Sequence, residues 1–127
     1  VHAVEGAVAL TAALDHAMRY ATGLKALTVE TRDLFRRPLL PAELARFDGI
    51  VIDPPRAGAE AQVAQIVTAQ IPRVAMVSCN PATFARDAAL LIQGGYRLNW
   101  VQPVDQFRWS PHVELAASFT LPHLSPV

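Results

Sequence analysis

Two kinds of apolar pattern follow one another in the stretch from Arg73 to Asp87. The run 74–77 is short, continuously apolar and rich in β-formers, which predicts a strand buried on both faces. Asn80 and Pro81 come next and suit the cap and the first position of a helix. The predicted helix ends at the glycine pair 94–95, and its apolar face would consist of Phe84, Ala88, Leu91 and Ile92.

The rest of the chain repeats this alternation of strand and helix patterns. Helical periodicity covers residues 7–21, with apolar positions at Ala7, Leu10, Leu14, Ala17, Met18 and Ala21, and residues 59–70, with Val63, Ile66 and Val67 inward. Strand patterns cover 1–6, 25–31, 47–52, 96–104 (half-buried) and 113–121, and 36–44 is a connector with one helical turn. The order predicts an α/β fold with a mostly parallel sheet and a C-terminal antiparallel hairpin. We expect one domain, residues 1–121, and a tail, residues 122–127.

Composition narrows the class of protein without choosing a function. The chain has 127 residues, 52% of them hydrophobic, and its eleven basic side chains balance eleven acidic ones, so charge alone does not indicate nucleic-acid binding. A single cysteine excludes a disulfide framework or a four-cysteine metal site within the chain. No apolar run approaches the length of a membrane span, and we expect a cytoplasmic protein.

The single cysteine, Cys79, lies at a position where α/β proteins bind ligands. It follows the predicted strand 74–77 at its carboxyl end and precedes a helix N-terminus, whose dipole favours a thiolate. The alternative is that Cys79 fills space in the core, as cysteines commonly do.

Three motifs together resemble one enzyme family. IDPPRAG at Ile52–Gly58, VSCNPATFARD at Val77–Asp87 and DQFRWSPHVE at Asp105–Glu114 are similar to the catalytic half of the RNA (uracil-5-)-methyltransferases. Members of this family use S-adenosylmethionine to make 5-methyluridine in tRNA or rRNA. The resemblance implies a Rossmann-like class I methyltransferase fold, S-adenosylmethionine as cofactor and RNA as partner.

The resemblance also assigns roles to individual residues. It implies that Cys79 adds to C6 of the target uracil and that Glu114 removes the C5 proton. It implies further that Glu5, Asp33 and Asp53 bind the cofactor. Four of these residues have a simpler interpretation. Asp53 could cap a turn, Glu5 could be a strand-end acid, Asp33 an Asx-turn residue and Glu114 a solvated strand position.

Two parts of the family pattern are not found in this sequence. The first strand and its glycine-rich turn, which cradles the methionine part of the cofactor, are absent, and so is the RNA-binding barrel. We therefore expect a partial catalytic domain that binds the cofactor weakly or not at all and transfers no methyl group alone. We also expect it to self-associate through exposed strand edges, or to have its sheet completed by another chain.

The loop 105–111 carries aromatic side chains within the third motif. Phe107 and Trp109 could stack on a base, but loop aromatics more often pack under their own loop. Arg108 stands where the family has a proline.

Three functions remain open from the sequence. The first is RNA uracil-C5 methylation through a Cys79 adduct. The second is a non-catalytic, structural or binding role for an incomplete methyltransferase-like fragment. The third is amino-group methylation, which uses a similar strand-end motif but requires no cysteine.

Overall fold

The computed structural model describes residues 1–122. The chain folds into two compact units, residues 1–38 and a unit that begins at Leu39. All but the first residue of the predicted tail lies outside the described residues. No helix within residues 1–122 is long and apolar enough to cross a membrane. The elements are His2–Glu5 (β1), Val8–Met18 (α1), Thr28–Thr31 (β2), Pro41–Leu44 (α2), Gly49–Ile52 (β3), Glu60–Ala69 (α3), Arg73–Ser78 (β4), Pro81–Gln93 (α4), Arg97–Val104 (β5) and Glu114–Thr120 (β6).

The first unit is a β1–α1–β2 arrangement with two parallel strands. The predicted helix is confirmed, but its apolar stripe is exposed except for the partly buried Met18. Leu10 and Leu14 are exposed, and Thr11 is the residue of α1 that is buried, with its Oγ1 2.7 Å from Oγ1 of Thr31. A two-stranded sheet offers too little surface to cover a full helical stripe.

The second unit contains a four-stranded sheet in the order β3-β4-β6-β5. β3 and β4 are parallel, whereas β6 runs antiparallel to both β4 and β5. The predicted C-terminal hairpin is confirmed. The prediction of a single sheet is wrong for the described strands, because they form two sheets. Within the four-stranded sheet β3, β4 and β5 run in the same direction, and β6, which lies between β4 and β5, is the antiparallel strand.

The core of the second unit lies on one face of this sheet. Val74 and Met76 of β4 pack with α3 and α4, through side chains such as Ile66 and Leu91, while Ala75 is exposed on the opposite face. The prediction that β4 is buried on both faces is therefore wrong. Ile92, predicted to face the core from α4, is 49% exposed.

β5 is more exposed than its alternating sequence predicts. After Leu98 every residue of the strand is exposed, including Trp100 and Val104. β5 is an edge strand, and a register shift between Leu98 and Trp100 interrupts its pairing with β6. The bulge changes which side chains of β5 face the core, so the alternation of apolar and polar residues along this strand no longer predicts which of them are buried.

Tyr96 fixes the start of β5 against the helical layer. Its ring is 3% exposed, and its hydroxyl donates to the carbonyl of Ile71 at 2.7 Å and to that of Ile66 at 3.3 Å. Burial raises the pKa of Tyr96 to about 12 from an ordinary value of 10.0. Between these values the folded state holds a proton that the unfolded state has lost, so the free energy of unfolding falls as pH rises.

We predict that Tyr96→Phe removes part of this alkaline dependence. The slope of the unfolding free energy between pH 10 and 12 should be shallower by up to about 1.4 kcal/mol per pH unit, although the variant loses about 1 kcal/mol near neutral pH with its hydrogen bonds. Urea unfolding at several pH values measures both quantities. Tyr20→Phe, at a tyrosine that is 75% exposed, is the control. Equal slopes in the parent and Tyr96→Phe would contradict the prediction.

Candidate active site

The carboxyl ends of β3 and β4 meet the amino end of β6 at one edge of the four-stranded sheet. The last residue pairs at this edge are Ile52 with Met76 and Ser78 with Leu115. Cys79 follows Ser78 and Glu114 precedes Leu115, so the antiparallel register places the thiol-bearing residue opposite the carboxylate-bearing one.

A cavity of about 450 Å³ lies at this edge and brings together three of the predicted site residues. Asp53, Cys79 and Glu114 line it, and Cys79 and Glu114 are partly buried. The remaining lining residues are Val77, Val104, Gln106, Leu115 and Ala116. Apolar walls beside a thiol and two carboxylates can hold a flat ring and present acid, base and nucleophile to it.

The segment that carries Cys79 is anchored on both sides. Ser78 Oγ accepts from the backbone N–H of Asn80 at 3.2 Å and donates to its carbonyl at 3.1 Å. Asn80 Oδ1 accepts from the N–H of Ala82 at 3.1 Å, which confirms the predicted helix cap. Cys79 therefore sits between the sheet and the amino end of α4 on a short, internally bonded turn.

The loop after β3 is bound to this turn through Arg56. The carbonyl of Arg56 accepts from Asn80 Nδ2 and from Thr83 Oγ1, both at 2.9 Å. Its guanidinium Nη1 lies 3.3 Å from the Cys79 carbonyl and 3.3 Å from His112 Nδ1. Arg56 thus links the three motifs. The sequence does not predict this role, because no local pattern shows which loop an arginine reaches.

A buried carboxylate holds the same loop against α4. Asp87, 1% exposed, accepts from the N–H of Ala59 at 2.7 Å and from Arg86 Nε and Nη2 at 2.9 and 2.8 Å. Arg86 Nη2 also donates to the carbonyl of Ala57 at 3.0 Å. The hydrogen bond with Asp87 raises the pKa of the Arg86 guanidinium, which stays charged. We call the Arg86–Asp87 pair and its bonds to residues 57 and 59 the loop clamp.

Gly58 is the residue around which the loop clamp closes. Its φ is +78°, and a Cβ at this position would lie 2.5 Å from Arg86 Nη2 and 2.6 Å from Asp87 Oδ2. The backbone conformation and the close approach both require glycine here.

We predict that Gly58→Ala opens the loop clamp although it changes no polar group. It should destabilise the second unit by more than Gly95→Ala, since Gly95 also has a positive φ, +95°, but an added Cβ there would meet nothing within 4 Å. The left-handed backbone costs each variant about 1–2 kcal/mol. Any further loss of stability in Gly58→Ala measures the clash of its Cβ with Arg86 and Asp87. Chemical denaturation of the two variants measures the difference. Equal losses of stability would mean that the loop is not clamped.

Glu5 and Asp33, the other predicted site residues, belong to the first unit. Glu5 ends β1, pairs with Thr31, and its Oε1 accepts from the N–H of Ala7 at 2.8 Å. Asp33 follows β2, and its Oδ1 accepts from the N–H groups of Phe35 and Arg36 at 3.0 and 3.3 Å. Both residues are exposed at the carboxyl ends of parallel strands, where hydroxyl or amino donors of a ligand can reach their carboxylates. That placement fits a nucleoside.

Comparison with known proteins assigns the family. Residues 19–120 match the model of the tRNA (uracil-5-)-methyltransferase family. The chain belongs to this family. An RNA methyltransferase of Mesorhizobium japonicum is 59% identical over 122 residues, and these cover 96% of this chain but 30% of that protein. The 23S rRNA (uracil(1939)-C(5))-methyltransferase of Colwellia psychrerythraea is 49% identical over 74 residues, which cover 58% of this chain and 16% of that enzyme.

Solved structures agree with this family. The Pyrococcus abyssi tRNA (uracil-54, C5)-methyltransferase in complex with S-adenosyl-L-homocysteine is similar over 94% of this chain and 28% of that one, with a TM-score of 0.74 and 27% identity. M. jannaschii TYW2 in complex with AdoMet is similar over 95% of this chain and 57% of that one, with a TM-score of 0.64. At 14% identity it supports the Rossmann-like methyltransferase fold alone. The chain spans less than a third of the length of the Mesorhizobium, Colwellia and Pyrococcus proteins.

Proposed function

We propose that this chain carries the catalytic residues of an RNA methyltransferase that methylates C5 of a uridine in tRNA or rRNA. The observation that carries the proposal is that Cys79 and Glu114, at the facing ends of two adjacent antiparallel strands, line one cavity. A nucleophile and a base on the same cavity are what C5 methylation of uracil requires, because C5 alone is a poor nucleophile.

Cys79 is the proposed nucleophile. Its thiolate adds to C6 of the uracil, an S–C6 bond forms, and the electrons of the C5=C6 double bond move into an enolate, which makes C5 nucleophilic. The turn between β4 and α4 holds Cys79 at the amino end of the helix and on the wall of the cavity. The target base must leave its stack to reach a residue in this cavity.

Glu114 is the proposed base. Once C5 carries the new methyl group, the carboxylate removes the C5 proton, the C–H electrons restore the C5=C6 double bond, and the S–C6 bond breaks to release the thiolate. The register of β4 and β6 places Glu114 across from Cys79, so the base and the leaving group act on adjacent ring carbons.

The cofactor proposed for this reaction is S-adenosylmethionine. When bound, it supplies an electrophilic methyl group. Glu5 would accept hydrogen bonds from the ribose hydroxyls, Asp33 would face the adenine and Asp53 would hold a further polar group of the cofactor. The exposure of Glu5 and Asp33 at strand ends and the position of Asp53 on the cavity support these assignments. Two relatives support the choice of RNA as substrate and of S-adenosylmethionine as cofactor. One is a 23S rRNA uracil methyltransferase, and the other is a tRNA uracil methyltransferase in complex with S-adenosyl-L-homocysteine.

We predict different defects for the two catalytic residues in the natural full-length protein that carries this sequence. Cys79→Ala should abolish methyl transfer and any covalent complex with RNA. Glu114→Gln should instead accumulate a methylated covalent complex, with release slowed by about 10²- to 10⁴-fold, because proton removal alone is lost. Radiolabelled S-adenosylmethionine and denaturing gels measure both species.

A control variant and three alternative outcomes make this test specific. Gln102→Ala, at an exposed residue of β5 that does not line the cavity, should keep the covalent step and its release. Normal turnover by Glu114→Gln would show that the base is misassigned. Methyl transfer by Cys79→Ala would favour amino-group methylation, and no transfer by the parent with any RNA would favour a non-catalytic role.

A further inference from the structure

Trp109 is the most exposed large apolar side chain among the described residues of the second unit. Its exposed fraction is 102%, and the neighbouring Phe107 is 42% exposed. The expectation that the loop aromatics pack under their own loop is therefore wrong for Trp109. A fully exposed indole gives no burial energy to the fold.

The backbone at Trp109 adds a cost to this exposure. Its φ is +62°, in the left-handed region that glycine adopts readily and bulky side chains avoid. The N–H of Ser110 donates to the carbonyl of Phe107 at 3.2 Å, so Trp109 is the third residue of a tight turn, where glycine suits a positive φ. Neither the turn nor the core explains a tryptophan here.

The turn is tied to the candidate active site. Gln106, immediately before it, lines the cavity, and Ser110 Oγ at its end accepts from the N–H of His112 at 3.2 Å. His112 contacts Arg56 and lies two residues before Glu114. The exposed indole is therefore carried on a bonded turn that directly follows a residue of the cavity.

We propose that Trp109 is an RNA-binding residue that stacks on an unpaired base next to the methylated uridine. The proposal rests on the proposed function, which supplies the RNA. A base that has left the helical stack leaves its neighbours without a stacking partner, and an exposed indole can replace that partner for any base. Arg108, exposed beside Trp109, adds a positive charge for the phosphate backbone.

Trp109→Gly in the natural full-length protein gives the decisive test, because stacking and stability should change in opposite directions. Glycine relieves the positive φ, so the melting temperature should stay equal or rise. The Kd for fluorescently labelled tRNA or 23S rRNA transcripts, measured by anisotropy, should rise about five- to a hundred-fold. Trp109→Phe should recover part of the affinity because it keeps a ring. Trp100→Phe, on the exposed edge strand, is the matched control and should bind as the parent does.

The outcomes test the stacking role of Trp109 separately from the proposed methylation of uridine. Unchanged affinity of Trp109→Gly, or no RNA binding by the parent, overturns the stacking role. A lower melting temperature with weaker binding also overturns it, since Trp109 would then be structural. A covalent Cys79 complex that forms while Trp109→Gly binds normally keeps the proposed function and rejects this inference. Weakened binding by Trp109→Gly, in a parent that binds RNA but forms no covalent complex, keeps Trp109 as an RNA-stacking residue and rejects both the proposed function and a position next to a methylated uridine.

Discussion

The antiparallel pairing of β4 with β6 is the constraint on which the candidate site depends. Six residue pairs, from Arg73 with Thr120 to Ser78 with Leu115, fix this register. Since side chains alternate between the faces of a strand, a slip of one residue would move Glu114 away from Cys79 and turn the core residue Phe119 outward. The same register therefore serves the core and the site, and burial of apolar residues holds the proposed nucleophile and base together.

A second set of interactions holds the loops around this pairing. Backbone carbonyls in the loop after β3 accept from Asn80, Thr83 and Arg86, and Asp87 accepts from the same loop. These groups lie at the cap and in the first two turns of α4, so one helix organises both its own amino end and the loop that carries Asp53. Local bonds of this kind keep a site rigid without a large core.

Most elements and the chemical groups of the cavity could be predicted from the sequence, but the division of the strands into two sheets could not. Strand and helix periods, the Asn80 cap and the terminal hairpin follow from local chemistry, and the motifs led to Asp53, Cys79 and Glu114. Burial of α1 and β5 could not be predicted, because it depends on which surface each element meets and on a bulge between residues 98 and 100. The loop clamp and the Arg56 contacts join residues more than twenty positions apart, which no local pattern reports.

The most direct test of the proposed chemistry is the site of attachment of a trapped RNA. 5-Fluorouridine carries fluorine at C5 in place of hydrogen. A base cannot remove this fluorine as it removes a proton, so the covalent bond between the protein and C6 persists. Protease digestion and mass spectrometry of the complex should find one modified nucleotide, attached to the peptide that contains Cys79. A nucleotide attached to another residue, or no covalent nucleotide although the same protein methylates unmodified RNA at C5 of uridine, would contradict the proposed role of Cys79.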